Sequence, residues 1–206
     1  MGKNTANGVS HPPKTSRGME TMQKICVAAE QLFCEKGYYE VSINDITRIA
    51  GVSAGTFYVY FESKLSLYQY LLKQYGHQIR KHISVAIDGC KTRREAEREG
   101  LKAWFEFVSK NRHVFFIIWE SLYIDRALFD EYYETFSSAY TAQLKAAQKS
   151  GEVREDVDLE ILSYALMGIS NFIGLHWFVF KENHDADYMA NEVIKIIDGI
   201  FPRENK

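Results

Sequence analysis

An all-α fold of about nine helices is expected from three observations on this 206-residue chain. No proline occurs between Lys14 and Phe201, so the residue that most strongly breaks helices is missing from nearly the whole chain. Apolar residues return at three- and four-residue intervals through most of that stretch, which is the spacing of one helix face. Period-two alternation, the mark of a half-buried strand, does not occur. A hydrophobic content of 46%, with 14% aromatic residues, is enough to offset the ordering entropy that keeps low-hydrophobicity chains unfolded. The length allows one large domain or a small domain joined to a larger one.

Residues 1–18 are polar and small, with no apolar stretch of the kind that opens a secretory signal, and are expected to form a disordered arm. From Thr21, Met22, Ile25, Ala28, Ala29, Leu32 and Phe33 stripe a first helix, and Gly37 is placed for a left-handed stop. Ser42 and Asp45 make a capping box for a second helix of two turns, carrying Ile43, Ile46, Ile49 and Ala50 and ended by Gly51. Ser53 caps a short third helix through Thr56, Phe57 and Tyr58, and Ser63 caps a fourth along Leu67, Leu71, Tyr75, Ile79 and Ile83. A charged break is expected from Lys91 to Arg98, before a fifth helix on Leu101, Trp104, Phe105 and Val108. Asn111–Tyr123 and the stripe Phe129, Tyr133, Phe136, Tyr140 and Leu144 give two more. Ser150, Gly151 and the acidic run to Asp158 then turn the chain into an uncharged helix, and Val193, Ile196, Ile197 and Ile200 mark the last.

The uncharged run Ile161–Phe180 has about the length of a membrane span. Ser163, Ser170, Asn171 and His176 inside it, and flanks without a positive bias, favour burial in protein or at a subunit interface instead. Cys26, Cys34 and Cys90 are an odd number without CxxC spacing, so neither a disulfide framework nor a structural zinc site is expected. Cys26 and Cys34 read as core residues in a reducing compartment. Charge is uneven: residues 1–81 carry ten basic and six acidic side chains, and the remainder fifteen and twenty-one. A positive front on an acidic body suits a polyanion at one end.

Two short helices joined across Gly51 form a helix-turn-helix, whose second helix would lie in a major groove. Ser53 and Thr56 offer small hydroxyls to base edges or phosphates. Gly55 admits close backbone approach, Tyr58 and Tyr60 add phenols, and Lys64 sets a cation beside a helix start. This stretch, from Ile25 through Ala29, Phe33, Gly37, Tyr38, Ile46, Gly51, Val52, Phe61 and Lys64 to Leu67, resembles the TetR family of bacterial transcriptional regulators over about residues 21–70. The resemblance implies a homodimer with a DNA-binding domain at 19–64 and a helical ligand-binding and dimerisation domain at 65–206. It puts Ser42, Thr47, Arg48, Ser53, Ala54, Gly55, Thr56, Tyr58, Tyr60 and Lys64 at DNA-facing positions, with Ala54 and Val59 standing where many members have a basic residue.

On the same resemblance, a small hydrophobic or amphipathic effector is expected among Trp104, Phe107, Phe115, Trp119, Tyr123, Tyr140, Phe172 and His176. Glu106, Glu120 and Glu134 stand where they could add charge attraction for a lipophilic cation. The dimer seam is expected on Leu162, Leu166, Ile169, Ile173, Trp177, Val193, Ile197 and Ile200. The implied protein is a cytoplasmic repressor that binds a near-palindromic duplex, without cofactor, metal or membrane. A ligand-independent or membrane-associated DNA-binding regulator is the competing reading. An enzyme finds no support, because no nucleophile elbow, phosphate-binding glycine loop, HExxH or dinucleotide fingerprint occurs.

Overall fold

The structure, a computed structural model, describes Val9, residues 12–181 and residues 185–201. Among these it is all-helical, in the order α1 (Ser16–Lys36), α2 (Ile43–Ala50), α3 (Ala54–Tyr60), α4 (Lys64–Ile87), α5 (Arg93–Lys110), α6 (Arg112–Ile124), α7 (Arg126–Lys149), α8 (Leu159–Ile173) and α9 (Ala186–Ile197). α8 is prolonged by wider, π-type turns over Gly174–Phe180, and α9 by a 3-10 turn over Asp198–Ile200.

Two boundaries differ from the sequence reading for local reasons. α1 starts at Ser16 because the Thr15 hydroxyl accepts from the Gly18 N–H at 3.1 Å, adding polar turns ahead of the apolar stripe. Most of the expected arm, residues 1–8 and 10–11, lies outside the described residues. The charged stretch before Leu101 is the first two turns of α5 and not a break. Thr92 caps it by accepting from Glu95 N–H, and the Arg93 Nε–H donates to Glu97 at 2.7 Å one turn on.

The chain divides into two compact units. The first comprises the residues up to Gly76 and His113–Tyr132, and therefore holds α1, α2, α3, the front of α4 and nearly all of α6. Ile25, Ala29, Ile46, Phe57, Phe61, Leu67 and Tyr68 are fully enclosed in it. Gly37 ends α1 at φ 80° and ψ 161°, a region essentially reserved for glycine, whereas Gly51 ends α2 in the ordinary left-handed conformation.

The second unit comprises His77–Arg112 and the residues from Tyr133 onward. Its core runs between α5 and α9 and the π-type turns, with Phe105 stacked on Phe178 at 5.0 Å and Ala190, Val193 and Ile194 buried. Glu97 is buried and satisfied by Arg93 and by the Tyr140 hydroxyl, which donates to it; burial first, and Glu97 second, push that phenol well above its usual range. The buried Ser137 and Ser163 hydroxyls meet at 2.7 Å, joining α7 to α8. Leu159–Phe180 is long and apolar enough to cross a membrane by length and composition, and about a third of it is buried in this unit. Cys26 is core, its thiol pushed up to about 12 chiefly by burial. Cys34 is exposed, because eight residues advance a helix about 80° past two full turns.

Candidate nucleic-acid interface

α2 is bounded by the Ser42 cap and the left-handed Gly51, and α3 opens on the Ser53 cap and stops where Phe61 turns extended. Ser42 Oγ accepts from Asp45 N–H at 3.1 Å, while the Asp45 carboxylate accepts from Ser42 N–H at 3.1 Å. These two bonds close the capping box, and hydrogen bonds from the Ser42 hydroxyl and amide, ahead of Arg48, hold the Asp45 carboxyl below the usual carboxylate range. At α3, Ser53 Oγ accepts from Thr56 N–H at 3.1 Å and lies 2.9 Å from the Thr56 hydroxyl. Phe57 and Tyr60 bury one face of α3 together with Phe61 just beyond it, against α1 and α2.

The opposite face is left to solvent. It carries Ser53, Ala54, Gly55, Tyr58 (53% exposed) and Val59, and α2 adds Asn44, Arg48 and Ile49. That α3 face is a small, largely uncharged surface of hydroxyls, a phenol and a bare glycine. Arg48 is its cation, in an exposed pair with Asp45 at 3.4 Å.

Seven of the ten DNA-facing candidates lie here: Ser42, Arg48, Ser53, Ala54, Gly55, Thr56 and Tyr58. Three are used by the fold instead. Thr47 is buried with its hydroxyl donating to Asn44 O, because it takes the i+4 place in the stripe Ile43, Ile46, Ala50. Tyr60 is 8% exposed, since it falls three residues after Phe57 on the inner face. Lys64 donates from Nζ to Tyr38 O and Val41 O, each at 2.6 Å, with the ammonium 4.1 Å from the Tyr38 ring centroid. Burial depresses its pKa, partly opposed by Glu120 and Glu40. Asn44 and Ile49 are surface residues that the sequence reading leaves out. For Ile49 the signal was available, because steps of three residues drift off a helix face.

α6 grips the same domain. Glu120 Oε1 accepts from Tyr38 N–H at 2.7 Å, Tyr39 Oη donates to Tyr123 O at 2.8 Å, and Tyr68 Oη donates to Ile117 O. The acceptors sit at 117, 120 and 123, one per turn: those at 120 and 123 hold the α1–α2 turn, and that at 117 holds α4 through Tyr68. Glu120 is thereby committed to the backbone and is not the free carboxylate that a cationic effector needs.

The eight effector candidates divide between the units. Phe115 and Trp119, ring-stacked at 5.8 Å, and Tyr123 belong to the first. Trp104, Phe107, Tyr140, Phe172 and His176 belong to the second. Trp104 Nε1 donates to Ser170 O at 3.2 Å and Phe107 packs near His82, whereas Tyr123, Phe172 and His176 are exposed. Of the dimer candidates, Leu162, Leu166, Val193 and Ile197 point into their own unit's core. Ile169, Ile173, Trp177 and Ile200 are half-buried. The exposed apolar residues of these segments are Ile161, Tyr164, Phe172, Phe180, Tyr188 and Ile196. The correction is one of phase: the apolar run is uniform, and only the fold shows which stripe faces inward.

Residues 25–71 match the family model described as bacterial regulatory proteins, tetR family. The chain is 22% identical over 198 residues to the HTH-type transcriptional regulator YdgC of Bacillus subtilis strain 168, across 92% of this chain and 97% of the relative. It is 21% identical to the fatty acid metabolism regulator protein of the same organism, across 84% of this chain and 92% of that protein. The fatty acid degradation regulator FadR from Bacillus halodurans has the same fold, with a TM-score of 0.78 at 16% identity, covering 94% of this chain and 99% of that one.

Proposed function

Because the chain belongs to the TetR family and is a DNA-binding transcriptional regulator, we propose that it acts as a cytoplasmic homodimeric repressor released from a near-palindromic operator by a small hydrophobic or amphipathic effector. The observation that carries the reading is the outer face of α3, where Ser53, Gly55 and Tyr58 are presented and the fold uses the opposite face. A helix so presented fits a major groove, with its first residues at base edges. Two copies related by a two-fold axis would read half-sites about 34 to 36 Å apart.

The homodimer is supported by the exposed stripe Ile161, Tyr164, Phe172 and Phe180 of α8 and its π-type extension, with Tyr188 and Ile196 of α9. That is more large apolar surface than a solvated helix pair usually carries. Effector binding is assigned to the interior of the second unit, around Trp104, Phe107 and Tyr140 on α5 and α7. The names of the two fatty acid regulators make acyl compounds the first probes. α4 is continuous from Lys64 to Ile87 and contributes residues to both units, which gives the two events a shared element.

The test is fluorescence anisotropy on DNA taken from upstream of the protein's own gene. Wild-type protein is expected to bind in excess nonspecific DNA. Tyr58→Ala is expected to bind about five- to tenfold more weakly, from roughly 1 to 1.5 kcal/mol per lost hydrogen bond, with unchanged melting temperature. Equal affinity of the two proteins would overturn the assignment of α3 as the reading helix.

A further inference from the structure

The centre of the outward face of α3 is apolar. At about 100° per residue, Val59 lies about 200° around the helix from the buried Phe57, and Gly55, one turn before Val59, lies about 160° from it on the other side. These two residues therefore point most directly away from the core, and Val59 is 51% exposed. Nothing in the described fold demands a glycine at 55. Its φ is not in the left-handed region, and an added Cβ would meet only Ser53 Oγ, at an ordinary 3.7 Å. A glycine within a helix is destabilising relative to alanine. What it provides here is an outer surface without a Cβ, so that the helix backbone can approach whatever lies against it and carry the short Val59 side chain to the same depth.

The polar capacity of the same face is small. Side chains tell bases apart in the major groove chiefly by Arg or Lys on guanine, Asn or Gln on adenine, and Asp or Glu on cytosine. Ser53, Ala54, Gly55, Thr56, Tyr58 and Val59, which reach the surface at α3 and its cap, include none of these types. The Ser53 and Thr56 hydroxyls already lie 2.9 Å from each other, and Ser53 Oγ also accepts from the Thr56 amide. Arg48 stands on α2, the helix that crosses the DNA backbone in this motif, and is paired with Asp45. Lys64 donates to two backbone carbonyls. The apolar group that a base pair offers in the major groove is the C5-methyl of thymine.

We propose that Val59 selects thymine: in each half-site its isopropyl group packs on the C5-methyl of one thymine, at a depth that Gly55 permits. This rests on the reading of α3 as the major-groove helix, and adds to it the base that the centre of that helix prefers. Any other base at that place presents polar atoms without the methyl, so the Val59 side chain would strip water from a polar edge and gain no apolar partner. Specificity at this position then comes from apolar contact and not from a charged or bidentate pair.

The experiment replaces each thymine in the protected half-sites of the upstream DNA fragment by deoxyuridine in turn, and measures the affinity of the wild type and of Val59→Ala. Uracil keeps every hydrogen-bonding group of thymine and lacks only the methyl. The wild type is expected to bind about fourfold more weakly when the contacted thymine loses its methyl, the factor for one buried methyl-sized group. Val59→Ala is expected to keep the wild-type melting temperature, to bind the thymine fragment about fourfold more weakly, and to lose nothing further on uracil at that place, so that the two changes are not additive. With C·G in place of that T·A pair the wild type is expected to weaken, and a cytosine carrying the same C5-methyl is expected to recover about fourfold. Gly55→Ala is expected to fold at least as stably and to bind about tenfold more weakly, because its Cβ holds the helix off the groove. Indifference of the wild type to uracil at every position would overturn the proposal, as would equal uracil sensitivity in wild type and Val59→Ala or wild-type affinity in Gly55→Ala. Each of these results, alongside specific binding that Tyr58→Ala abolishes, would leave the parent reading standing. Failure of the wild type to bind the fragment would instead overturn the parent reading, and this one with it.

Discussion

At Lys64 an ammonium must satisfy two carbonyls before it can meet a phosphate. Its bonds to Tyr38 O and Val41 O tie the start of α4 to the α1–α2 turn, and hydrogen bonds to a charged group contribute roughly 1.5 to 3 kcal/mol each. Lys64→Met is therefore expected to lower the denaturation midpoint markedly and to leave the salt slope of DNA binding unchanged. A flattened slope with unchanged stability would return Lys64 to the phosphate contacts. Asp45 gives a pH signature. Its folded pKa is depressed, so its contribution is fully present above the unfolded value of about 3.9 and is lost as pH falls through the lower folded value. Wild type and Asp45→Asn are expected to differ in urea midpoint at pH 7 and to converge in acid. A constant gap down to pH 2 would contradict the capping role.

Among the elements, α6 is the least expected participant in the reading unit. Glu120 supplies the one acceptor seen for the Tyr38 amide, at a turn whose Gly37 leaves only 3.0 Å between a would-be Cβ and the same carboxylate oxygen. Glu120→Ala is expected to cost roughly 1 to 3 kcal/mol of stability, and Glu120→Gln, which keeps an acceptor, much less. Equal losses in the two variants would show that the charge and not the acceptor matters. On α9, Ile196 is 71% exposed. Ile196→Glu is expected to give monomers by light scattering while leaving the helix content intact, and a persisting dimer would move the seam elsewhere. Helix positions and caps were legible in the sequence because Ser42, Ser53, Ser63, Gly37 and Gly51 act on their immediate neighbours. The start of α1, the early turns of α5, the inward phase of α8 and the roles of Thr47, Tyr60 and Lys64 were not fully legible. Each depends on which side of a helix another element covers, or on a polar pair one turn away outweighing a missing apolar stripe.

For the molecule as a whole, the claim is that an N-terminal reading unit and a C-terminal helical unit act as one regulated DNA-binding protein. An effector that lowers DNA affinity must itself be bound more weakly in the presence of DNA by the same factor, typically 5- to 150-fold. Acyl ligands titrated with and without the upstream fragment put that reciprocity to a measurement. The most direct test of the central claim is a hydroxyl-radical footprint of the full chain on the DNA upstream of its own gene, in excess nonspecific competitor. Two protected half-sites about 34 to 36 Å apart, both lost with Tyr58→Ala, are the expected result. Uniform protection without periodicity, or a footprint that Tyr58→Ala leaves intact, would contradict it.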